Sequence, residues 1–303
     1  LADYGHPKVD EGLPQYNLAY AVNQKDSTPL FYELYDGSVI DNTELEIMLE
    51  EAKEFGHERL GVLMDRGYIS EKNIKALRSK GYEYILMMKQ NQKICQEIIE
   101  EYGAAVQSLE GYYIGEHGVY GTTVKKQLYG QETNIHVYYD DIRASEEKVA
   151  LMSRYETWEK EIEKKVEKKL ATEGEMKKYR KVFKLKYDQN GYLVAYQRNS
   201  RYIKEEIRNL GFFFIITSED MSASKALDIY RGRDNIEKMF RSLKSGIDFN
   251  KARVHTTESL KSKVFVTFIA MIIRNELFQK AEVLRKKNRK AYTVPGMISE
   301  LEN

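Results

Sequence analysis

The sequence of 303 residues is poor in cysteine and proline, balanced in charge and without a long apolar run. Its one cysteine, Cys95, excludes an internal disulfide framework and a CxxC zinc cluster, and it fits a reducing compartment. The longest apolar run near the end covers residues 264–273, far short of the roughly 20 residues that a membrane-spanning helix needs. The 48 Lys and Arg against 47 Asp and Glu give no global argument for a polyanionic partner, although an average can hide a basic face. A chain of this length can bury a full core in one large or two modest domains.

The first 90 residues predict a hairpin followed by alternating helices and strands. Apolar and polar residues roughly alternate over 16–22 and 29–35, and the turn-rich residues between them predict an antiparallel hairpin. The remaining elements are a helix over 43–55, a buried strand over 60–64, a helix from a Ser70 cap to Arg78, and a buried strand over 84–88.

The middle of the chain has a different character. Residues 111–139 are rich in Tyr and Gly and favour antiparallel strands. Residues 144–182 are densely charged, with apolar residues every three or four positions, which predicts an amphipathic helical arm broken near Gly174. This arm either rests its apolar stripe on the body of the protein or pairs with a partner in a coiled coil. Beyond it, the sequence predicts a buried strand over 211–217, a helical pattern over 222–244 and an apolar helix over 260–278.

The most informative segment for function is residues 230–244. At about 100° per residue, a helix would gather on one face Tyr230, Arg233, Glu237, Arg241 and Lys244. The other side would be apolar. Such a face can be a surface helix laced with Arg–Glu pairs at i,i+4, or a functional face that concentrates a phenol, three cations and one carboxylate.

The surroundings of this segment favour a phosphate-binding role. Residues 230–263 contain nine Lys or Arg and four acids, an excess of five positive charges inside a nearly neutral protein. A carboxylate among such cations suggests metal-assisted chemistry on a phosphodiester, which needs a second oxygen ligand on a rigid sheet. Asp65 fits this requirement because it follows a predicted strand, although an Asp that only helps the loop to turn is an alternative.

Tyr230, Arg233, Glu237 and Lys244 fit the pattern Y-x2-R-x3-E-x6-K, which resembles the signature of bacterial insertion-sequence transposases of the DDE, RNase H-like type, in the insertion-sequence-four family. TSED at 217–220, DRG at 65–67, DYGHPK at 3–8 and PLFYELYDGSVID at 29–41 resemble further parts of that family. The resemblance implies an α/β fold: an RNase H-like mixed sheet flanked by helices and interrupted by a β-rich insertion with a charged helical arm. The implied domains are a first part of the catalytic core over 1–90, the insertion over 91–210 and a second part of the core over 211–303.

The resemblance also implies roles for individual residues. Asp65 and Glu237 would be catalytic and metal-binding acids that hold Mg2+ or Mn2+, with two ions in the complete site. Tyr230, Arg233, Lys244, Arg241 and His255 would contact DNA; a capping or surface role is the alternative for His255. Phe212 and Phe213 would form either a stacking surface for a base or part of a core strand. The implied partners are double-stranded DNA, at transposon ends and target, and a second copy of the chain in a dimer on DNA. The implied location is the bacterial cytoplasm, away from the membrane.

The sequence departs from the family in one respect. The family's first acid lies on a first strand, upstream of the glycine-rich entry, and no such segment is found, so we expect the first strand and the first catalytic acid to be missing from these 303 residues. The leading interpretation is that the sequence is an N-terminally truncated catalytic domain for DNA strand cleavage and strand transfer. Its rivals are a catalytically dead DNA-binding remnant and a structural helical protein whose Tyr230 face only makes salt bridges.

Overall fold

The computed structural model describes residues 16–23, 26–36, 41–54, 56, 61–64, 69–108, 110–168, 174–232, 253–288, 294, 296 and 299. Contacts divide the chain into two compact units, Leu1–Leu86 with Lys225–Asn303 and Met87–Ser224. Over the described ranges, no helix is both long enough and apolar enough to cross a membrane.

The strands in chain order are β1 (Tyr16–Val22), β2 (Pro29–Asp36), β3 (Gly61–Met64), β4 (Glu83–Met87), β5 (Tyr113–Ile114), β6 (Val119–Leu128), β7 (Gln131–Tyr139), β8 (Phe183–Tyr187), β9 (Leu193–Arg198) and β10 (Phe212–Thr217). The α-helices are α1 (Asp41–Glu54), α2 (Glu71–Ser79), α3 (Lys93–Ser108), α4 (Asp141–Lys168), α5 (Ser200–Arg208), α6 (Ala223–Arg231) and α7 (Thr257–Asn288). Six strands form a mixed sheet in the order β3-β4-β10-β7-β6-β5, while β1–β2 and β8–β9 each form a two-stranded sheet. This mixed α/β architecture is consistent with the RNase H-like fold that the family resemblance implies.

In the first unit, the predicted hairpin is confirmed. β1 and β2 pair antiparallel, with Tyr16 opposite Asp36. Alternate residues of β1 face α7, because side chains two positions apart point to the same side of a strand. They pack against a cluster formed by Leu260, Val264 and Met271. The amides of Asn275 and Gln279 also donate to the carbonyl oxygen of Asp26, at 3.0 and 2.9 Å, and fix the hairpin turn on the helix.

The strand and helix around residues 61–87 are also confirmed, with one correction. Ser70 caps α2, since its hydroxyl accepts from the amide of Asn73 at 3.1 Å, and Gly81 ends the helical segment at φ +72°. β3 pairs in parallel with β4. The expectation of a buried β3 is wrong, however, because Gly61 is exposed and Val62 and Leu63 are only partly buried. Among the described strands, β3 lies at the edge of its sheet, which accounts for this exposure.

In the second unit, β10 pairs antiparallel with β7, and β7 with β6. All six residues of β10 are buried, so Phe212 and Phe213 belong to the core and offer no stacking surface to a base. Helix α3 packs nearby, where an added Cβ on Gly103 would lie 3.2 Å from the ring of Phe212. The close approach of helix and strand therefore depends on the absence of a side chain at Gly103.

The charged arm is the helix α4, and its apolar stripe has a partner within the same unit. Leu151, Tyr155 and Ile162 join a buried cluster with Phe183 of β8, Leu193 of β9 and Ile203 of α5. The stripe therefore rests on the chain's own β8–β9 hairpin, as the simpler of the two sequence-based alternatives has it. The assignment of residues 91–210 as an insertion stays a prediction; within the second unit, β6 and β7 form one sheet with β10.

Candidate active site

The first predicted acid follows the edge strand β3. β3 ends at Met64, whose register partner in the parallel neighbour β4 is Leu86. Asp65 is the next residue in the sequence, but Asp65 and residues 66–68 lie outside the described residues. The roles of Asp65 as a catalytic acid and metal ligand therefore remain predictions.

Helix α6 carries the beginning of the predicted signature. Its buried residues are Ala223, Ala226, Leu227 and Tyr230, spaced i, i+3, i+4 and i+7, so they form one stripe along the helix. Tyr230 is only 5% exposed and belongs to this stripe. The other members of the predicted face, Arg233, Glu237, Arg241 and Lys244, lie outside the described residues, and their roles remain predictions.

The connection from β10 to α6 is held by polar side chains of β7. The Tyr138 hydroxyl donates to the carbonyl of Ala223 at 2.7 Å, and the Asn134 amide donates to the carbonyl of Glu219 at 3.2 Å. The backbone that leads into α6 is thus fixed to the neighbouring strand at two points. Neither residue was selected from the sequence, because the pairing of β7 with β10 brings together residues about 80 positions apart.

A buried histidine supports the same connection. His136 lies between two hydroxyls, with Nδ1 2.8 Å from Thr123 Oγ1 and Nε2 3.0 Å from Thr217 Oγ1. Thr217 donates its own proton to the carbonyl of Glu219 at 2.7 Å, so it accepts from Nε2–H, and Nδ1 accepts from Thr123. Burial lowers the pKa of His136 to about 4, and the nearby Asp220 opposes this shift only in part. The ring is therefore neutral near pH 7 and acts as a fixed hydrogen-bonding bridge.

His255 lies just before α7 and is exposed. The next residue, Thr256, caps the helix, since its hydroxyl accepts from the amide of Ser259 at 3.1 Å. Arg253 and Lys261 are exposed on either side in the sequence. The residue that caps the helix is thus Thr256 and not His255. A phosphate contact by His255 remains a prediction that its exposure allows.

The described residues contain no group of three or more His, Cys, Asp or Glu that could hold a metal ion. Both predicted metal ligands lie outside this part of the chain. The carboxylates of Asp65 and Glu237 are ligands of the kind that Mg2+ prefers. The metal site that they would form remains a prediction.

The six-stranded mixed sheet and the seven described helices define an α/β protein. The family model of the transposase DDE domain matches residues 2–273, which is most of the chain, and the chain belongs to this family. Membership implies DNA binding and polynucleotidyl transfer, and the family generally uses divalent metal ions. A search of curated proteins found no match.

Proposed function

We propose that this chain is the catalytic domain of a bacterial insertion-sequence transposase of the insertion-sequence-four type, which cleaves DNA strands at transposon ends and joins them to a target. The family match supports the general activity, and the spacing of Tyr230, Arg233, Glu237 and Lys244 supports the narrower type. Two DNA ends must be held together for strand transfer, so we propose that the chain acts as a dimer on DNA.

The single observation that carries the site is the buried stripe of α6. If the helical pattern that the sequence predicts over 222–244 holds, then at 100° per residue Arg233 and Glu237 would fall on the same side as Ala223, Ala226 and Tyr230. A surface helix laced with salt bridges would instead have Tyr230 on its exposed side. A carboxylate that continues a buried stripe is suited to an enclosed site, where electrostatic interactions are stronger than in water.

The proposed chemistry assigns each acid and cation a task. Asp65 and Glu237 would hold the divalent ions, which in such sites activate a water or a 3′ hydroxyl and stabilise the charge of the reacting phosphodiester. Arg233, Arg241 and Lys244 would bind the adjacent phosphates. His255 would contribute a further phosphate contact, and Tyr230, which is buried, would help to fix helix α6, which precedes Glu237 in the sequence.

We further propose that the first acid of the triad belongs on a strand between β1 and β3. Two observations support this: β1 and β2 form a separate two-stranded sheet, and β3 lies at an edge. No strand occupies that place among the described residues. A chain that lacked this first acid should still bind metal and DNA through its other groups but should not nick DNA efficiently.

Mn2+ titration and a DNA nicking assay with Mg2+ test the proposal on the 303-residue chain, on Glu237→Gln and on the control Glu276→Gln, which changes an exposed acid of α7. We expect Mn2+ binding by the wild type and the control, loss of binding in Glu237→Gln, and no efficient nicking. Efficient nicking by the wild type that is lost in Glu237→Gln would support the proposed catalytic activity. It would also overturn the expectation that the first acid is missing. No Mn2+ binding by the wild type, with DNA binding retained, would overturn the enzyme in favour of a DNA-binding remnant.

A further inference from the structure

The β8–β9 hairpin and its flanks carry a larger charge excess than the signature segment. Residues 177–204 contain nine Lys or Arg and one acid, Asp188, which leaves eight positive charges in excess. The whole chain has a net charge of only +1. Nothing in the signature-based assignment uses this segment, which lies entirely within the second unit.

The two faces of this hairpin differ sharply. Along β8, Phe183 is buried and Leu185 is partly buried, whereas Lys184 and Lys186 are exposed. Because successive side chains of a strand point to opposite faces, one face packs against α4 and the other displays the lysines. On β9, the residue opposite Lys184 is Gln197 and the residue opposite Lys186 is Ala195. Neither lysine of this outer face therefore has an acid opposite it on β9.

The cations around the hairpin fall into two groups, those that form ion pairs with α4 and those that form none. Cations that reach α4 are neutralised there: Lys178 lies 3.0 Å from Glu161, and Arg198 pairs with Glu159. In the part of the chain that the structure describes, no ion pair is formed by four other exposed lysines, namely Lys177, Lys181, Lys184 and Lys186. Their positive charge is uncompensated and faces solvent.

The hairpin also has a fixed shape. The Asp188 carboxylate accepts from the backbone amides of Asn190 and Tyr192, at 2.9 and 2.8 Å, and Gly191 supplies the positive φ of +80° that the turn requires. Its inner face is anchored by Phe183 and Leu193 in the α4 cluster. The lysines are thus presented on a rigid two-stranded ribbon.

From these observations we propose that the outer face of β8–β9 binds the phosphate backbone of duplex DNA without reading its sequence. The identification of the polyanion as DNA rests on the proposed function. Lys184 and Lys186 stand two residues apart, about 6.6 Å along the strand, which is roughly two base-pair rises of one DNA strand.

The test compares the full 303-residue chain with Lys184→Gln/Lys186→Gln in binding to a duplex of random sequence, measured by fluorescence anisotropy over a series of salt concentrations. We expect weaker binding and a logarithmic salt slope smaller by about 2, because each lost phosphate contact removes about 0.9 from the slope. The control Lys148→Gln/Lys160→Gln removes the same charge from exposed positions of α4 and should leave the slope unchanged.

Equal slopes in the two double variants would overturn the proposal, as would tighter binding of polyglutamate than of DNA. Its failure is separable from that of the catalytic proposal. Glu237→Gln should keep the wild-type salt slope while losing Mn2+ binding, whereas the hairpin variant should keep Mn2+ binding while losing slope.

Discussion

Replacing His136 with Gln should remove a pH dependence from the stability of the fold. A glutamine can reproduce both hydrogen bonds, since its carbonyl oxygen accepts from Thr123 and its amide donates to Thr217. Unlike the imidazole, it does not bind a proton. The variant therefore keeps the bridge to the connection before α6 and loses the titrating group.

The magnitude follows from the pKa of about 4 in the folded protein against the ordinary value of 6.5. A lowered histidine pKa means that the unfolded chain binds the proton more tightly, so its contribution to stability is complete above about pH 6.5 and falls as the pH drops towards 4. One pKa unit corresponds to about 1.4 kcal/mol, so the wild type should lose about 3 kcal/mol over this window from His136 alone, and about 2 kcal/mol by pH 5.

Urea unfolding, followed by circular dichroism between pH 7.5 and 4.5, measures this effect as the difference in unfolding free energy between wild type and His136→Gln. All carboxylates are shared by the two proteins, and their titrations cancel in the difference. We expect the wild type to lose stability relative to the variant as the pH falls. A difference that stays constant over the whole range would refute the buried, neutral state of His136.

Three further substitutions test the packing of the second unit by thermal unfolding. Gly211→Ala should destabilise by about 2–4 kcal/mol, since its Cβ would lie 2.6 Å from Ala144 Cβ and 2.8 Å from the Asp140 carbonyl oxygen, at φ +79°. Gly191→Ala, at φ +80° with open space around its Cβ, should cost only about 1 kcal/mol, and equal losses would contradict the steric account. Tyr155→Phe should stabilise by up to about 1 kcal/mol, because the buried Tyr155 hydroxyl has no hydrogen-bond partner among the described residues, and a lowered melting temperature would disprove this.

Local patterns predicted the elements that their own residues determine. The alternation in β1 and β2 and the Ser70 cap of α2 are short-range signals, and the structure confirms them. Helix α3 was not predicted, although its buried residues Cys95, Ile98 and Ile99 have helical spacing. The β8–β9 hairpin also had a signal, the pair Asn190-Gly191 between two alternating segments.

The pairing of β10 with β7 could not be predicted in this way. It joins Phe212 to Tyr139, and no local rule selects among distant strands of similar apolar character. The same holds for the polar residues on β7 that hold the entry to α6. The signature was recognisable because its four residues keep a fixed spacing within one segment, whereas the burial of Tyr230 depends on contacts made elsewhere in the fold.

The most direct test of the central claim is a Mn2+ titration of Asp65→Asn, Glu237→Gln and the double variant, each compared with the wild-type chain. If both acids hold the same ion, each single variant should weaken binding at least tenfold, and the double variant should lose little more than either single one. Wild-type affinity in both single variants, or losses that simply add in the double variant, would contradict a shared metal site.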